Sequence, residues 1–178
     1  MVDELARRHG VAVDAFECDA LVGETAVGET AVAETAVGAA GGGRPLVLAK
    51  PQTFMNRSGF AARCLVERRG VALEDLLVVY DEVALPLGRV RLRPGGGPAG
   101  HRGMESVIGE LRSDEVARLR LGIAPDEPPA DLVGFVLAPF AAGEEEVAAA
   151  MVARAADACE AWLGEGVEAA MNRFNGLS

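Results

Sequence analysis

The pattern of apolar and polar residues along the chain predicts several amphipathic helices. Apolar residues recur with helical spacing over residues 2–9, 58–69 and 143–163. Gly10 and Gly70 follow the first two segments, and glycine often ends a helix because it adopts the left-handed conformation without strain. We therefore predict helices over these three segments and a shorter one near residues 103–111.

Two of these helices have an apolar stripe that predicts a buried face. In residues 58–69 the stripe contains Phe60, Cys64 and Leu65. In residues 143–163 it contains Val147, Met151, Ala155, Cys159 and Trp162. Glu144 to Glu146 occupy the first turn of the longer helix, where negative charge suits the helix dipole.

Shorter apolar segments predict the strands. Residues 76–80 are apolar or aromatic throughout, which is typical of a strand covered on both faces in a parallel sheet. Residues 46–49 form a second apolar run, which Pro51 ends. Over residues 89–93 and 118–123 apolar side chains alternate with arginines, which predicts strands with one exposed basic face.

Because helices and strands alternate, we predict an α/β fold in one domain, residues 1–178. Its sheet is expected to be mixed, mostly parallel and twisted, with helices flanking it. Residues 23–43 interrupt this pattern with three tandem pentapeptides ending in Glu-Thr-Ala-Val, followed by a glycine-rich stretch. A period of five matches neither a helix nor a strand, so we predict a low-complexity insert in a hairpin loop.

Composition and charge narrow the possible functions. The chain has no apolar run long enough to span a membrane, and its three cysteines lie far apart without metal-ligand spacing, so we expect reduced thiols in a cytoplasmic protein. The net charge of −10 argues against binding nucleic acid. Residues 89–120, however, hold seven arginines and four acidic residues, so a local basic surface could bind phosphates.

Three polar residues stand where chemistry is often found. Asp81 directly follows the apolar run 76–80, and ligands of α/β sheets bind at the carboxyl ends of strands. Asn56 lies between a predicted strand and a helix, and His101 lies in a glycine-rich loop. Each also has an ordinary structural explanation: a turn carboxylate, a helix cap for which Ser58 competes, and an inert loop histidine.

The combination of motifs is more specific than any single residue. The ordered segments are KPQTFMNRSG at 50–59, YDE at 80–82 with LPLG at 85–88, GGGPAGHRG at 95–103, RLRLGI at 118–123, GFVL at 134–137 and AMNRFN at 170–175. In order and spacing they resemble the bacterial-type peptidyl-tRNA hydrolases. The resemblance covers nearly the whole chain except the pentapeptide insert.

The resemblance implies hydrolysis of the ester between a peptide and the ribose of its tRNA, which recycles tRNA from aborted translation. Such enzymes need no metal or other cofactor; a histidine acts as general base on water, and an aspartate orients it. Asp81 matches the orienting aspartate. Asn56 matches the asparagine that hydrogen-bonds the substrate near the scissile group, with Phe54 and Met55 forming the adjoining wall.

The resemblance also implies how the tRNA is held. His101 matches a residue of the loop that closes over the tRNA end, and Arg93 and Arg120 match basic positions that grip tRNA phosphate. The expected partner is the acceptor stem and 3′ end of peptidyl-tRNA. The expected protein is a cytoplasmic monomer that binds no membrane.

The chain departs from the family pattern at two places. Arg102 stands where the family has asparagine, and arginine cannot accept a hydrogen bond but can pair with phosphate. Family members also carry a strand and the base histidine ahead of the helix matching residues 2–9, so we expect a truncated reading frame and low turnover of the chain as given. His9 stands at the far end of that helix and is no replacement.

Two other functions compete with the hydrolase. A non-catalytic RNA-binding relative, of the chloroplast splicing-factor type, would suit the absent base histidine and Arg102. A metabolite hydrolase unrelated to RNA would need a nucleophile, and the chain has no Gly-x-Ser-x-Gly element.

Overall fold

A computed structural model describes residues 1–27, 44–125 and 129–176. The chain divides into two compact units, one of residues 1–70 with 102–111 and one of residues 71–101 with 112–178. Both units combine helices with strands, so the predicted α/β class is confirmed. No helix of the described residues is long and apolar enough to cross a membrane.

The described residues of the first unit form three α-helices and three strands. In chain order they are α1 (Val2–His9), β1 (Ala15–Glu17), β2 (Ala20–Val27), β3 (Arg44–Pro51), α2 (Ser58–Arg69) and α3 (Arg102–Leu111). Gly10 and Gly70 end α1 and α2 in the left-handed conformation, each with φ 62°, so the predicted ends of both helices are confirmed.

The strands β1, β2 and β3 form an antiparallel sheet in that order. Cys18 and Asp19 connect β1 to β2, and both have φ 54°, which suits the tight turn of a two-residue hairpin. Residues 23–27, the first pentapeptide copy, lie in β2 opposite β3, so the predicted loop is wrong for them. Residues 28–43 lie outside the described residues.

The core of the first unit is small and built from short side chains. Ala20 and Val22 of β2 pack with Ala61 of α2, and Leu65 borders them. Phe60, which was predicted to face the core, is 41% exposed. Ala61, the residue after Phe60, takes the buried place on this face of α2 instead.

Cys18 and Cys64 form a disulfide between the β1–β2 turn and α2, so the prediction of reduced thiols is wrong for this pair. The two cysteines are 46 residues apart in sequence, and only the folding of the sheet against α2 brings their Cα atoms to 5.7 Å. Cys159 is buried and lies outside this disulfide.

Helices α2 and α3 approach closely at Gly59. The Gly59 N–H donates a hydrogen bond to Ser106 Oγ at 3.0 Å, and a Cβ at Gly59 would lie 2.0 Å from the Ser106 carbonyl oxygen. The contact therefore requires glycine at position 59.

The described residues of the second unit form a three-stranded sheet, and the helices of this unit follow the last strand in the chain. Its elements are β4 (Leu77–Pro86), β5 (Val90–Arg93), β6 (Ala117–Ala124), α4 (Leu132–Leu137), α5 (Glu144–Glu165) and α6 (Val167–Phe174). The strand order is β4-β6-β5, with β6 parallel to β4 and antiparallel to β5.

The prediction of one mostly parallel sheet is therefore wrong for the described residues, which form two three-stranded sheets with one parallel pair, β4 and β6. Parallel strands need a long crossover, which the segment between β4 and β6 provides. The β1–β2 connection is only two residues long, and a connection this short can join only antiparallel strands.

The long helix α5 confirms the predicted segment 143–163 and most of its buried stripe. Met151, Ala155 and Cys159 are buried, whereas Val147 is exposed. The sequence pattern did not predict α4 and α6, because each is only two turns long.

The side chain of Asn175, just after α6, completes the edge of the sheet. Its amide nitrogen donates to the Leu92 carbonyl at 3.0 Å, and its amide oxygen accepts from the Leu92 N–H at 2.8 Å. Asn175 thus occupies the place of a neighbouring strand beside β5, which explains why the AMNRFN segment ends in asparagine.

Gly59→Ala should destabilise the protein by about 1–3 kcal/mol, because the new methyl group overlaps the Ser106 carbonyl. Gly109→Ala in α3 is the control, since a Cβ there meets no atom within 4 Å. It should stabilise by up to about 1 kcal/mol. Denaturant unfolding measures both, and equal effects would contradict the close approach.

Asn175→Asp should destabilise by about 1–3 kcal/mol, because a carboxylate cannot donate to the Leu92 carbonyl and repels it. Asn172→Asp makes the same change at an exposed position of α6 and controls for charge at the helix end. The measurement is thermal unfolding of both variants. A Tm for Asn175→Asp equal to that of Asn172→Asp would refute the edge contact.

Candidate functional site

Asp81 lies within β4 rather than after it. The parallel pairing with β6 continues through Asp81 opposite Leu121 and Glu82 opposite Gly122, and becomes irregular only beyond Glu82. The apolar run ends at Tyr80, but backbone pairing does not require apolar side chains, so the strand extends past the predicted boundary. Asp81 is half-buried, with 39% of its side chain exposed.

His101 faces Asp81 from the loop that follows β5. The distance from His101 Nε2 to Asp81 Oδ1 is 3.9 Å, which is too long for a direct hydrogen bond. The His101 ring also packs on Tyr80, with ring centroids 4.4 Å apart. The structure therefore brings together two residues that the sequence identified separately, and adds an aromatic neighbour that it did not identify.

The His101 imidazole holds the pKa of Asp81 below its ordinary value of 3.8, while partial burial acts in the opposite direction. Asp81 is therefore a carboxylate at neutral pH. Because its pKa is lowered in the folded protein, its ionisation stabilises the fold above the ordinary pKa. That contribution is lost as the pH falls through the lowered value.

The loop carrying His101, residues 94–101 and here called the glycine loop, has a defined conformation. Gly96 donates its N–H to the Asp114 carbonyl at 2.8 Å, and His101 donates its N–H to the Pro98 carbonyl at 2.9 Å. Gly96 and Gly100 have φ values of 122° and 84°, which explains their identity.

Arg118 is fully buried, which contradicts the prediction of an exposed basic face on β6. Alternation correctly indicated that Arg118 and Leu119 point to opposite sides, but both sides of the strand are covered here.

Arg120 is also engaged within the protein. Its Nη1 lies 3.4 Å from Glu82 Oε2, and Glu82 is only 7% exposed. Glu82 also accepts a hydrogen bond from the Ala84 N–H at 3.1 Å. Among the predicted phosphate contacts, Arg93 at the end of β5 is half-buried, and its neighbour Arg91 is exposed.

The remaining predicted site residues lie in the first unit. Phe54, Met55 and Asn56 are exposed, and Asn56 lies in the 3₁₀ turn Met55–Arg57 just before α2. Neither Asn56 nor Ser58 caps α2: the N-cap is Arg57, and the Ser58 hydroxyl donates to the Met55 carbonyl at 2.8 Å.

Two features make this first-unit turn suited to contact a ligand. Phe54 is 80% exposed although it is a large apolar residue, and the Asn56 amide beside it is exposed as well. Arg102, the first residue of α3, is also exposed. Within residues 1–27, 44–125 and 129–176, no three His, Cys, Asp or Glu side chains form a group that could hold a metal ion.

Comparison with known proteins identifies the family. The peptidyl-tRNA hydrolase family model matches residues 1–178. The peptidyl-tRNA hydrolase of Gloeobacter violaceus is 46% identical over 141 residues, which are 79% of this chain and 71% of that protein. The peptidyl-tRNA hydrolase of Solibacter usitatus is 39% identical over 175 residues, 98% of this chain and 82% of that protein.

Solved structures agree with the sequence comparison. The crystal structure of peptidyl-tRNA hydrolase from Acinetobacter baumannii has a TM-score of 0.84 and 25% sequence identity to this chain. The match covers 99% of this chain and 83% of that one. On the sequence and the fold together, the chain belongs to the peptidyl-tRNA hydrolase family.

Proposed function

We propose that Asp81 and Asn56 carry out the hydrolysis of peptidyl-tRNA, the reaction of this family, in which the ester between peptide and tRNA is cleaved. The observation that carries the proposal is the half-buried Asp81 carboxylate facing the imidazole of His101 beside Tyr80. The lowered pKa keeps Asp81 charged at neutral pH. Such a carboxylate can orient the imidazole of the family's general-base histidine and stabilise its protonated form, whereas His101 belongs to the tRNA contacts.

The role of Asn56 follows from its amide, which can both donate and accept hydrogen bonds. It would hold the substrate near the scissile carbonyl, with Phe54 and Met55 contacting the end of the tRNA. Their exposure supports this assignment, because large apolar side chains left in water commonly serve as binding surfaces.

The tRNA contacts are assigned to His101, Arg102, Arg93 and Arg120. Arg102 is a phosphate contact in this assignment, since a guanidinium donates five hydrogen bonds and accepts none. The ester lies at the 3′ end of the tRNA, so the acceptor stem is the part of the molecule that we expect these residues to bind.

We further propose that the protein is a cytoplasmic monomer and that residues 1–178 form one domain. The continuous family match supports the single domain, and the origin of peptidyl-tRNA in translation supports the cytoplasm. The Cys18–Cys64 disulfide points the other way, because disulfides are rare in reducing compartments. The cytoplasmic assignment therefore rests on the substrate.

Asp81→Asn should lower kcat by about 10²–10⁴-fold with little change in KM, because the amide cannot stabilise a protonated imidazole. The measurement is release of the amino acid from N-blocked aminoacyl-tRNA. It uses the 178-residue chain and a form extended by the histidine-bearing segment of the family pattern. Asp14→Asn makes the same change at an exposed position and serves as the control.

The same assay distinguishes the competing function. Full turnover by Asp81→Asn would rule out the orienting role of the carboxylate. Binding of tRNA by both forms without any release would instead identify an RNA-binding relative that does not hydrolyse its ligand.

Arg93→Ala should weaken tRNA binding and reduce the slope of log K against log salt by about one unit, because one phosphate contact is lost. Arg7→Ala is the control, since Arg7 pairs with Glu4 at 2.7 Å and is not expected to contact tRNA. Arg120→Ala is less informative because it also leaves the buried Glu82 without its partner. An unchanged slope for Arg93→Ala would place the tRNA elsewhere.

A further inference from the structure

Arg118 is a buried charge whose guanidinium binds backbone carbonyls. Nε donates to the Val116 carbonyl at 3.1 Å, Nη1 to the Gly97 carbonyl at 3.0 Å and Nη2 to the Asp114 carbonyl at 3.0 Å. In the described part of the chain no acidic side chain forms an ion pair with Arg118. The dipoles of these carbonyls therefore stabilise the buried charge in place of water. A shift of any of the three carbonyls would weaken that stabilisation.

These three carbonyls belong to two different segments. Asp114 and Val116 precede β6, whereas Gly97 lies in the glycine loop. The two segments also touch without Arg118: the Gly96 N–H donates to the Asp114 carbonyl, and a Cβ at Gly95 would lie 2.8 Å from that oxygen. Arg118 thus links the glycine loop to the segment before β6 through hydrogen bonds to both.

His101 stands four residues after the point where Arg118 holds the loop. The backbone between them is compact, since the His101 N–H bonds the Pro98 carbonyl, and Ala99 and Gly100 both have positive φ. A displacement of Gly97 would therefore also move His101 away from its position beside Asp81 and the Tyr80 ring.

We propose that Arg118 is a positioning residue that holds the glycine loop in the conformation placing His101 against Asp81. Its guanidinium donates to backbone carbonyls, so in this proposal it acts through the loop backbone. The inference rests on the proposed function of Asp81 and His101. Arginine suits the task because its planar fork of donors spans two backbone segments at once, whereas the single ammonium group of lysine cannot reproduce that geometry.

The competing explanation is that Arg118 only stabilises the second unit. The pKa of Asp81 distinguishes this explanation from the positioning role, because the lowered pKa depends on the proximity of His101. Loss of general stability without movement of the loop leaves that pKa unchanged.

The experiment compares the Asp81 pKa, from NMR titration of its carboxyl carbon, in Arg118→Lys, Arg118→Met and His101→Ala. We expect both Arg118 variants to raise the Asp81 pKa toward 3.8, as removal of the imidazole does. Arg154→Met is the matched control, because Arg154 is a partly buried arginine of the same unit that donates to the Phe174 carbonyl at 3.1 Å. It should lower the Tm and leave the pKa unchanged.

A second pair of variants keeps the test decisive if the Arg118 variants do not fold. Gly95→Ala pushes the loop away from the Asp114 carbonyl while leaving the buried charge in place, and Gly97→Ala meets no atom within 4 Å. We expect Gly95→Ala to raise the Asp81 pKa and Gly97→Ala to leave it unchanged.

Turnover of N-blocked aminoacyl-tRNA provides the functional readout. Misplacing a contributing group by about 1 Å can cost roughly 10²-fold in rate, so kcat should fall by that order in Arg118→Lys, with KM changed less. Variants of Arg118 and Gly95 that fold and keep the wild-type Asp81 pKa would overturn the proposal. Absence of turnover in both wild-type forms, the 178-residue chain and the extended form, would count against the proposed function instead, and the pKa comparison would still decide the role of Arg118.

Discussion

The parallel pairing of β4 with β6 is the constraint on which the second unit depends. It sets Tyr80 opposite Arg120 and Asp81 opposite Leu121, so the carboxylate and the arginines of β6 hold fixed positions along one ladder. The glycine loop reaches this ladder through Arg118, and the loop in turn carries His101. Asp81 and the arginines of β6 are therefore positioned by backbone pairing rather than by contacts among the functional side chains themselves.

The arginines of the second unit show why a count of charges does not describe a surface. Residues 89–120 are basic in sequence, yet Arg118 is buried among carbonyls and Arg120 pairs with the buried Glu82. Both guanidiniums are engaged within the protein. The exposed positive charge on this sheet is smaller than the composition suggests, and Arg91 and Arg93 on the edge strand β5 contribute to it.

Local signals predicted some elements accurately and missed others. The bounds of α1 and α2 are confirmed because glycine in the left-handed conformation ends each helix at a single residue. The end of β4 was placed too early, and β1 was missed because a three-residue strand has almost no periodicity of its own. For the site, the motifs identified Asp81, Asn56 and His101, but not that Asp81 and His101 face each other.

The sequence by itself determined the family, the α/β class and the residue types of the site, because ordered motifs and helix ends are properties of short stretches of chain. Only the tertiary structure decided that the strands form two sheets, that Cys18 meets Cys64 and that Arg118 is buried. Those outcomes depend on pairing between segments distant in sequence. The free energy of such pairing comes from burial and hydrogen bonds that no local pattern encodes.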